Sequence, residues 1–296
     1  MTRLRADALL LMVAVIWGTA FVAQKTGNDA MSPLWFVAVR FAVSAAILAP
    51  FAVWESRKAA TFDRSALKQA FAIGLCMAVG ACLQQIALVT ASATNGGFLT
   101  ALYVVLVPFT TWLLTRGRIR PIILLASLLS VAGAYLLGAH GALVGWAVGD
   151  TLLLVSDVAW AFAISLVPLF LARARRPFFL AFLQFTMTGA IAGVAAVAFE
   201  GPLDGIAEAL PSLLYAAVIS GGIAYTAAII AQGYTPAPEA ALIMSLESIF
   251  AAVAGALLLG ERLTMLAGVG CLLILLAVVV VELRPVTRPE ARSPAR

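Results

Sequence analysis

Three ionisable residues stand inside otherwise apolar stretches of this 296-residue chain: Arg40 within 33–54, Asp157 within 146–171 and Glu247 within 237–259. At a rise of 1.5 Å per residue, Arg40 lies about 10 Å and Glu247 about 14 Å into its stretch. On insertion scales such a group costs about 2.5–3.5 kcal/mol at the centre of a membrane helix, so each must face the protein interior or water. Two kinds of chemistry follow. Arg40 can pair with Glu247 or Asp157 as a structural bridge. Alternatively the three stay available, the guanidinium for a substrate carboxylate and the acids for an ammonium group or a proton. Around them Gln84, Asn95, Tyr103, Gln184 and Tyr225 can hydrogen-bond a substrate or a neighbouring helix. Trp17 and Trp160 lie mid-span, away from the interface where tryptophan usually anchors, as packing residues or as walls of a cavity. Together these ten residues describe an amphiphilic substrate pocket.

Other chemistries are poorly provided for. Ser220-Gly221-Gly222 with the Asp150/Asp157 pair could suggest an intramembrane protease, but no His or Lys base accompanies the serine, and both aspartates share one helix. Gly268-x-Gly270 and Gly96-Gly97 lie in apolar spans with no neighbouring strand or lysine, so close helix packing explains them better than phosphate binding. Cys76, Cys82 and Cys271 all fall inside apolar spans and the single histidine, His140, in a loop. No metal site, cofactor site or disulfide framework is expected.

The elements that position these residues are membrane helices. The chain is 63% hydrophobic and 11% charged, with a mean hydropathy of +1.05, far from the roughly 45–50% apolar and 25% charged content of soluble domains. The apolar runs are unbroken rather than alternating, which excludes barrel strands. Ten spans are expected, at 7–25, 33–54, 67–89, 93–114, 121–138, 146–171, 177–199, 209–232, 237–259 and 264–283. Pro33, Pro121, Pro177, Pro211 and Pro238 mark starts, where a missing N–H costs nothing. Pro108 and Pro168 lie inside spans and should free carbonyls near Val104 and Ile164.

The chain also repeats itself. Asp7 to Phe21, DALLLMVAVIWGTAF, recurs as Asp150 to Ile164, DTLLLVSDVAWAFAI, at a shift of 143 residues that sets Trp17 on Trp160. Pro33 and Phe41 match Pro177 and Phe185 at 144, Leu102 and Arg118 match Leu246 and Arg262 at 144, and Thr90 matches Thr235 at 145. So steady a shift argues for duplication. It divides the chain into 1–140, 141–284 and a tail of 285–296. The echo of the first span in mid-chain argues against a cleaved signal peptide, which Arg3 and Arg5 before an apolar run would otherwise suggest.

Lys and Arg in short loops are retained on the cytoplasmic side. With the N-terminus inside, Arg3, Arg5, Arg57, Lys58, Arg64, Lys68, Arg116, Arg118, Arg120, Arg173, Arg175, Arg176 and the tail arginines Arg284, Arg288, Arg292 and Arg296 are all cytoplasmic. Lys25, Arg262 and the acidic loop of Glu200, Asp204 and Glu208 fall outside. The net charge of +5 is thereby explained by topology, with no call for nucleic acid. Five spans per half is an odd number, so the halves should be inverted repeats, with both termini cytoplasmic. Secondary transporters of this design hold a midplane site between rocking halves. Arg40, Asp157 and Glu247 are matched in the other half by Gln184, Ala14 and Tyr103, so no charge is duplicated, which favours a function that breaks the symmetry. Cavity-lining positions are expected on spans 1, 3, 4, 6, 8 and 9, with 5 and 10 peripheral.

Several motifs carry a family resemblance: Trp17-Gly18-Thr19-Ala20-Phe21, Pro33 with Arg40-Phe41, Thr90-Ala91-Ser92-Ala93, and Leu257-Leu258-Leu259-Gly260-Glu261-Arg262-Leu263. With these the chain resembles the drug/metabolite transporter superfamily, with two EamA-type domains, over essentially all ten spans. The family's Leu-Glu-Pro stands here as Leu246-Glu247-Ser248, which implies a straighter ninth span, and the Gly-Glu of the first half is replaced by Arg116-Gly117. The resemblance implies a ten-helix carrier of a bacterial inner membrane, monomeric or homodimeric, exporting amino acids or other small metabolites as YddG-type aromatic amino acid exporters do. Phosphorylated substrates would call for two or more intramembrane basic residues, and Arg40 stands alone with Lys25 at a helix end. A channel-like facilitator, an exporter of amphiphilic drugs and a non-transporting scaffold remain as alternatives. The orientation has a direct check, labelling of single cysteines by an impermeant reagent added outside intact cells. Asp204→Cys should react and Arg175→Cys should not; the opposite pattern would invert the topology.

Overall fold

The computed structural model describes residues 1–58, 64–138, 147–261 and 264–282. His140, Arg262, the boundary at 140–141 and the tail arginines from Arg284 lie outside the described residues. The described chain is helical, without strands. Eight helical rods are long and apolar enough to cross a membrane, and two shorter apolar ones, Pro121–Leu137 and Met265–Val281, bring the number to ten. At 1.5 Å per residue the short pair still spans about 25 Å, near the lower limit for a crossing.

The first five continuous rods are α1 (Arg3–Gly27), α2 (Pro33–Lys58), α3 (Arg64–Ala87), α6 (Pro121–Gly138) and α7 (Val148–Ala174), with α4 (Ala93–Thr100) and α5 (Tyr103–Thr115) between α3 and α6. The rest are α8 (Pro177–Phe199), α9 (Ile206–Leu214), a π-helical segment (Tyr215–Tyr225) running into α10 (Thr226–Gln232), α11 (Ala237–Met244), α12 (Glu247–Leu259) and α13 (Met265–Glu282). Pro211, expected at a helix start, instead lies inside α9, whose start is set by Gly205 in the left-handed region (φ 69°). The helices pair as α2 with α8, α3 with α7, α6 with α13, and α1 with both α12 and the π-helical segment.

Three rods are interrupted where the chemistry lies. The fourth breaks at Ala101-Leu102 and the ninth at Ser245-Leu246, between helices of 8 and 13 residues in each case. At both breaks the backbone tightens to i→i+3 bonds, Leu102 N to Leu99 O at 3.1 Å and Leu246 N to Ile243 O at 3.2 Å. The ninth rod is therefore not straightened by the loss of proline. Ser245 and Ser248 hold the break instead, their hydroxyls donating to the carbonyls of Leu242 and Ser245, both at 2.8 Å. In the fourth, Pro108 removes the N–H that would bond Val104, and the Ser127 hydroxyl of α6 donates to that carbonyl at 3.1 Å. Ser130, also on α6, bonds Ser245 at 3.2 Å. In the eighth rod, the wide turns of the π-helical segment leave carbonyls to Ser44 (to Ala217, 2.7 Å) and Trp17 (to Ser220, 3.4 Å).

Carboxylates fix the ends. Glu200, at the end of α8, accepts from the N–H groups of Leu34 and Trp35 at 2.9–3.1 Å, where Pro33 opens α2. Glu55, near the end of α2, accepts from Phe179 N at 2.8 Å at the start of α8. Each partner thus caps the other's N-terminus, where unpaired N–H groups and the helix dipole favour an anion. Glu261 does the same for α4, accepting from Ala93 and Thr94 N at 3.2 Å each and from the Thr94 hydroxyl. At the arginine-rich end Glu239 joins Arg3 (2.5 Å) and Arg120 (2.7 Å), while Thr235 donates to Asp7 at 2.7 Å.

Glycines set the closest crossings. Gly133 and Gly270 place α6 against α13, where a Cβ on Gly133 would fall 2.6 Å from the Gly270 carbonyl oxygen. Gly97 meets Ala251 and Gly96 meets Leu88, as small-residue packing requires, whereas Gly268 faces open space.

Candidate functional site

The breaks and the π-helical segment converge on one cavity at mid-span. Its water-accessible volume is about 70 Å³, room for a few water molecules. Eight of the ten residues singled out in the sequence line it: Trp17, Arg40, Gln84, Tyr103, Trp160, Gln184, Tyr225 and Glu247. Asn95 and Asp157 do not. Asn95 sits in the first turn of α4, its N–H bonded to Ser92 Oγ at 3.0 Å. Asp157 is 1% exposed on α7, neither carboxylate oxygen hydrogen-bonded, with Tyr103 and Glu247 as electrostatic neighbours. Beyond the spans expected to line the cavity, spans 2 and 7 contribute through Arg40 and Gln184, while α6 and α13, expected to be peripheral, contribute nothing to the wall.

Arg40 forms no ion pair with either acid. Its guanidinium carbon lies 4.6 Å from the centre of the Phe41 ring and 5.7 Å from that of Phe36, and Nε has no hydrogen-bond partner. The cation therefore lies against ring faces, with no ion pair to either acid. Glu247 opens α12 directly after the ninth-rod break and is 3% exposed, with Oε1 unbonded. Its position depends on Gly18, since a Cβ there would fall 2.6 Å from the Glu247 carbonyl oxygen. Tyr103 opens α5 directly after the fourth-rod break, beside Glu247. Each break thus puts one polar residue on the wall.

The aromatic wall centres on Tyr225. Its ring lies 4.6 Å from Trp17, 6.2 Å from Trp160, 6.3 Å from Phe41 and 5.9 Å from Phe185, all spacings of attractive ring pairs. Both tryptophans meet Tyr225, Trp17 more closely, and Trp160 also packs on Gly80, where a Cβ would come within 2.9 Å of the indole. Trp160 Nε1 donates to Gln84 Oε1 at 3.1 Å, and Gln84 Nε2 donates to Gln24 Oε1 at 3.2 Å. Sequence reasoning missed Gln24, Thr100, Ser220 and Gln232, which also line the cavity. Gln24 and Gln232 carried the same signal as Gln84, an amide inside an apolar span.

The structure is a ten-rod apolar bundle with a mid-span amphiphilic cavity, and comparison with known proteins assigns the family. The model of the EamA-like transporter family matches the chain twice, at residues 4–139 and 147–283. The chain belongs to that family. An uncharacterized transporter of Archaeoglobus fulgidus is 32% identical over 283 residues, covering 95% of this chain and 87% of the relative. A crystal structure of a protein sharing 16% identity superposes with a TM-score of 0.72 over 94% of this chain and 96% of its own, a likeness of fold alone. The protein is thus a multi-pass membrane protein of a transporter family, with a small-molecule substrate and the bilayer as its partners.

The Gln84 amide ties Trp160 to Gln24, so Gln84→Leu leaves a buried indole N–H and an amide oxygen unpaired. That should cost about 1–3 kcal/mol per orphaned group, read as a lower melting temperature in detergent. An unchanged melting temperature would show that water replaces the amide.

Proposed function

We propose that the protein is a secondary transporter that works by alternating access and exports small zwitterionic metabolites, aromatic amino acids among them, across a bacterial inner membrane. The observation that carries this reading is a cavity with an unneutralised guanidinium on one helix, a carboxyl group on another and indole and phenol rings between them. A zwitterion matches that wall with its carboxylate toward Arg40, its ammonium toward Glu247 and its side chain on Trp17, Trp160 and Tyr225. Buried charges without partners are expensive, and a ligand that neutralises both recovers the cost on binding.

Two inverted five-helix halves with both termini cytoplasmic supply the motion. Exchange of the halves takes α2 onto α8, α6 onto α13, and the α3–α7 contact onto the contact of α1 with the π-helical segment, which supports the arrangement. The export direction rests on the resemblance to amino acid exporters. A channel-like facilitator would need a continuous path, and the narrow cavity favours a carrier. An amphiphilic drug would use the rings but not the two charges.

Counterflow in proteoliposomes tests the charge assignment. Glu247→Gln and Arg40→Gln should each slow counterflow of zwitterionic aromatic amino acids about tenfold or more relative to neutral aromatic analogues lacking both charges, a difference of about 1.4 kcal/mol. Equal loss for both kinds of cargo, with the protein still folded, would remove the charges from substrate binding.

A further inference from the structure

A carrier opens its site to one side at a time, and the two ends of this bundle differ at positions that the repeat makes equivalent. Where α1 and α3 finish, long polar side chains cross between them. Lys25 Nζ donates to the carbonyls of Leu88 and Val89 at 2.9 and 3.1 Å. Asn28 Nδ2 donates to the Gln85 carbonyl at 3.0 Å, and Gln85 Nε2 returns a bond to Asn28 Oδ1 at 2.7 Å and another to the Gln24 carbonyl at 3.0 Å. α1 and α3 are not packing partners along their lengths, so the seam is made by these side chains and the carbonyls they reach.

The shifts of 143 residues for the first span of each half and 145 for the third carry Lys25 and Asn28 onto Pro168 and Leu171. They carry Gln85, Leu88 and Val89 onto Ile230, Gly233 and Tyr234. Those five residues, where α7 and α10 finish, all line a recess of about 570 Å³ at the opposite end of the bundle. We infer that the Lys25–Asn28–Gln85 seam is the gate sealing one mouth of the central cavity, and that the recess between the ends of α7 and α10 is the other mouth, standing open. The inference rests on the carrier reading.

The chemistry of the two gates differs. The sealed end is held by five hydrogen bonds, one group of them from an ammonium to helix-terminal carbonyls, which a cation satisfies well. The open end presents proline, leucine, isoleucine and glycine at the same places, with Tyr234 as the single polar side chain among the five. Glu55 near the end of α2 and Arg175 just after α7 also line this recess, but at the five equivalent positions closure forms no counterpart of that hydrogen-bonded seam. Weakening the seam therefore removes support from one closed state and leaves the other untouched, shifting the population toward the state in which the α1/α3 end is open.

The test uses the full chain in detergent with Cys76, Cys82 and Cys271 replaced by alanine and one reporter cysteine added, labelled by a charged thiol reagent. Ile230→Cys should react at least tenfold faster than Leu88→Cys. Adding Lys25→Met, or independently Asn28→Ala, should speed labelling at Leu88→Cys and slow it at Ile230→Cys, each severalfold. Faster labelling at Leu88→Cys with no change at Ile230→Cys would mean a local loosening and would overturn the gate. Equal starting rates would overturn the assignment of the open mouth. Labelling needs no substrate, so a reciprocal change in a protein that shows no counterflow for any solute would remove the carrier reading and leave the paired gates.

Discussion

In lipid every backbone N–H and C=O must find a partner inside the protein, and among the described residues the departures from regular α-helix around the cavity are met by side chains. The departures are the breaks at Ala101-Leu102 and Ser245-Leu246 and the π-helical segment at Tyr215–Tyr225. Hydroxyls and one indole meet the need: Ser127 at Val104, Ser248 at Ser245, Ser44 at Ala217 and Trp17 at Ser220. The cavity depends on these exchanges. Tyr103 and Glu247 each stand immediately after a break, and Tyr225 closes the π-helical segment. α6 takes no part in the wall, yet two of its serines support the breaks, so a peripheral helix positions the site without touching it.

Within the cavity the charges are left without each other. Arg40 rests on Phe36 and Phe41, and Glu247 faces Tyr103. A bridge between them would have used up the groups that the proposed zwitterionic substrate needs. The cost of unpaired burial is tolerable because the structure otherwise satisfies its ends thoroughly, with Glu55 and Glu200 capping each other's helices and Glu261 capping α4. Those acids accept from backbone N–H groups at helix N-termini, whereas Glu247, although it opens α12, leaves Oε1 unbonded and Asp157 leaves both oxygens unbonded.

Much of this was legible in the sequence. Hydropathy placed the ten rods, and an isolated polar residue in an apolar span pointed to the wall at eight positions. What was not legible depends on contacts between remote segments. Glu200 reads as part of an acidic loop until α8 is seen to lie along α2. The ninth-rod break reads as absent because proline is absent, although Ser245 and Ser248 produce it by bonding their own backbone. Asp157 resembles Arg40 and Glu247 in sequence, and only packing tells that it stands behind the wall. The π-helical segment has no pattern beyond Gly221-Gly222, and of the two alternatives for Arg40 the sequence could not choose, whereas the structure sets the guanidinium against aromatic faces without an ion pair to either acid.

The central claim is that one zwitterion-binding cavity is served alternately by two ends whose closures are linked. Electron–electron distance measurements on spin labels are the most direct test, with one pair of labels across the ends of α1 and α3 and another across the ends of α7 and α10. On adding a transported amino acid, the account predicts that the α7–α10 distance shortens as the α1–α3 distance lengthens. Both distances changing in the same sense, or neither changing while transport proceeds, would contradict it.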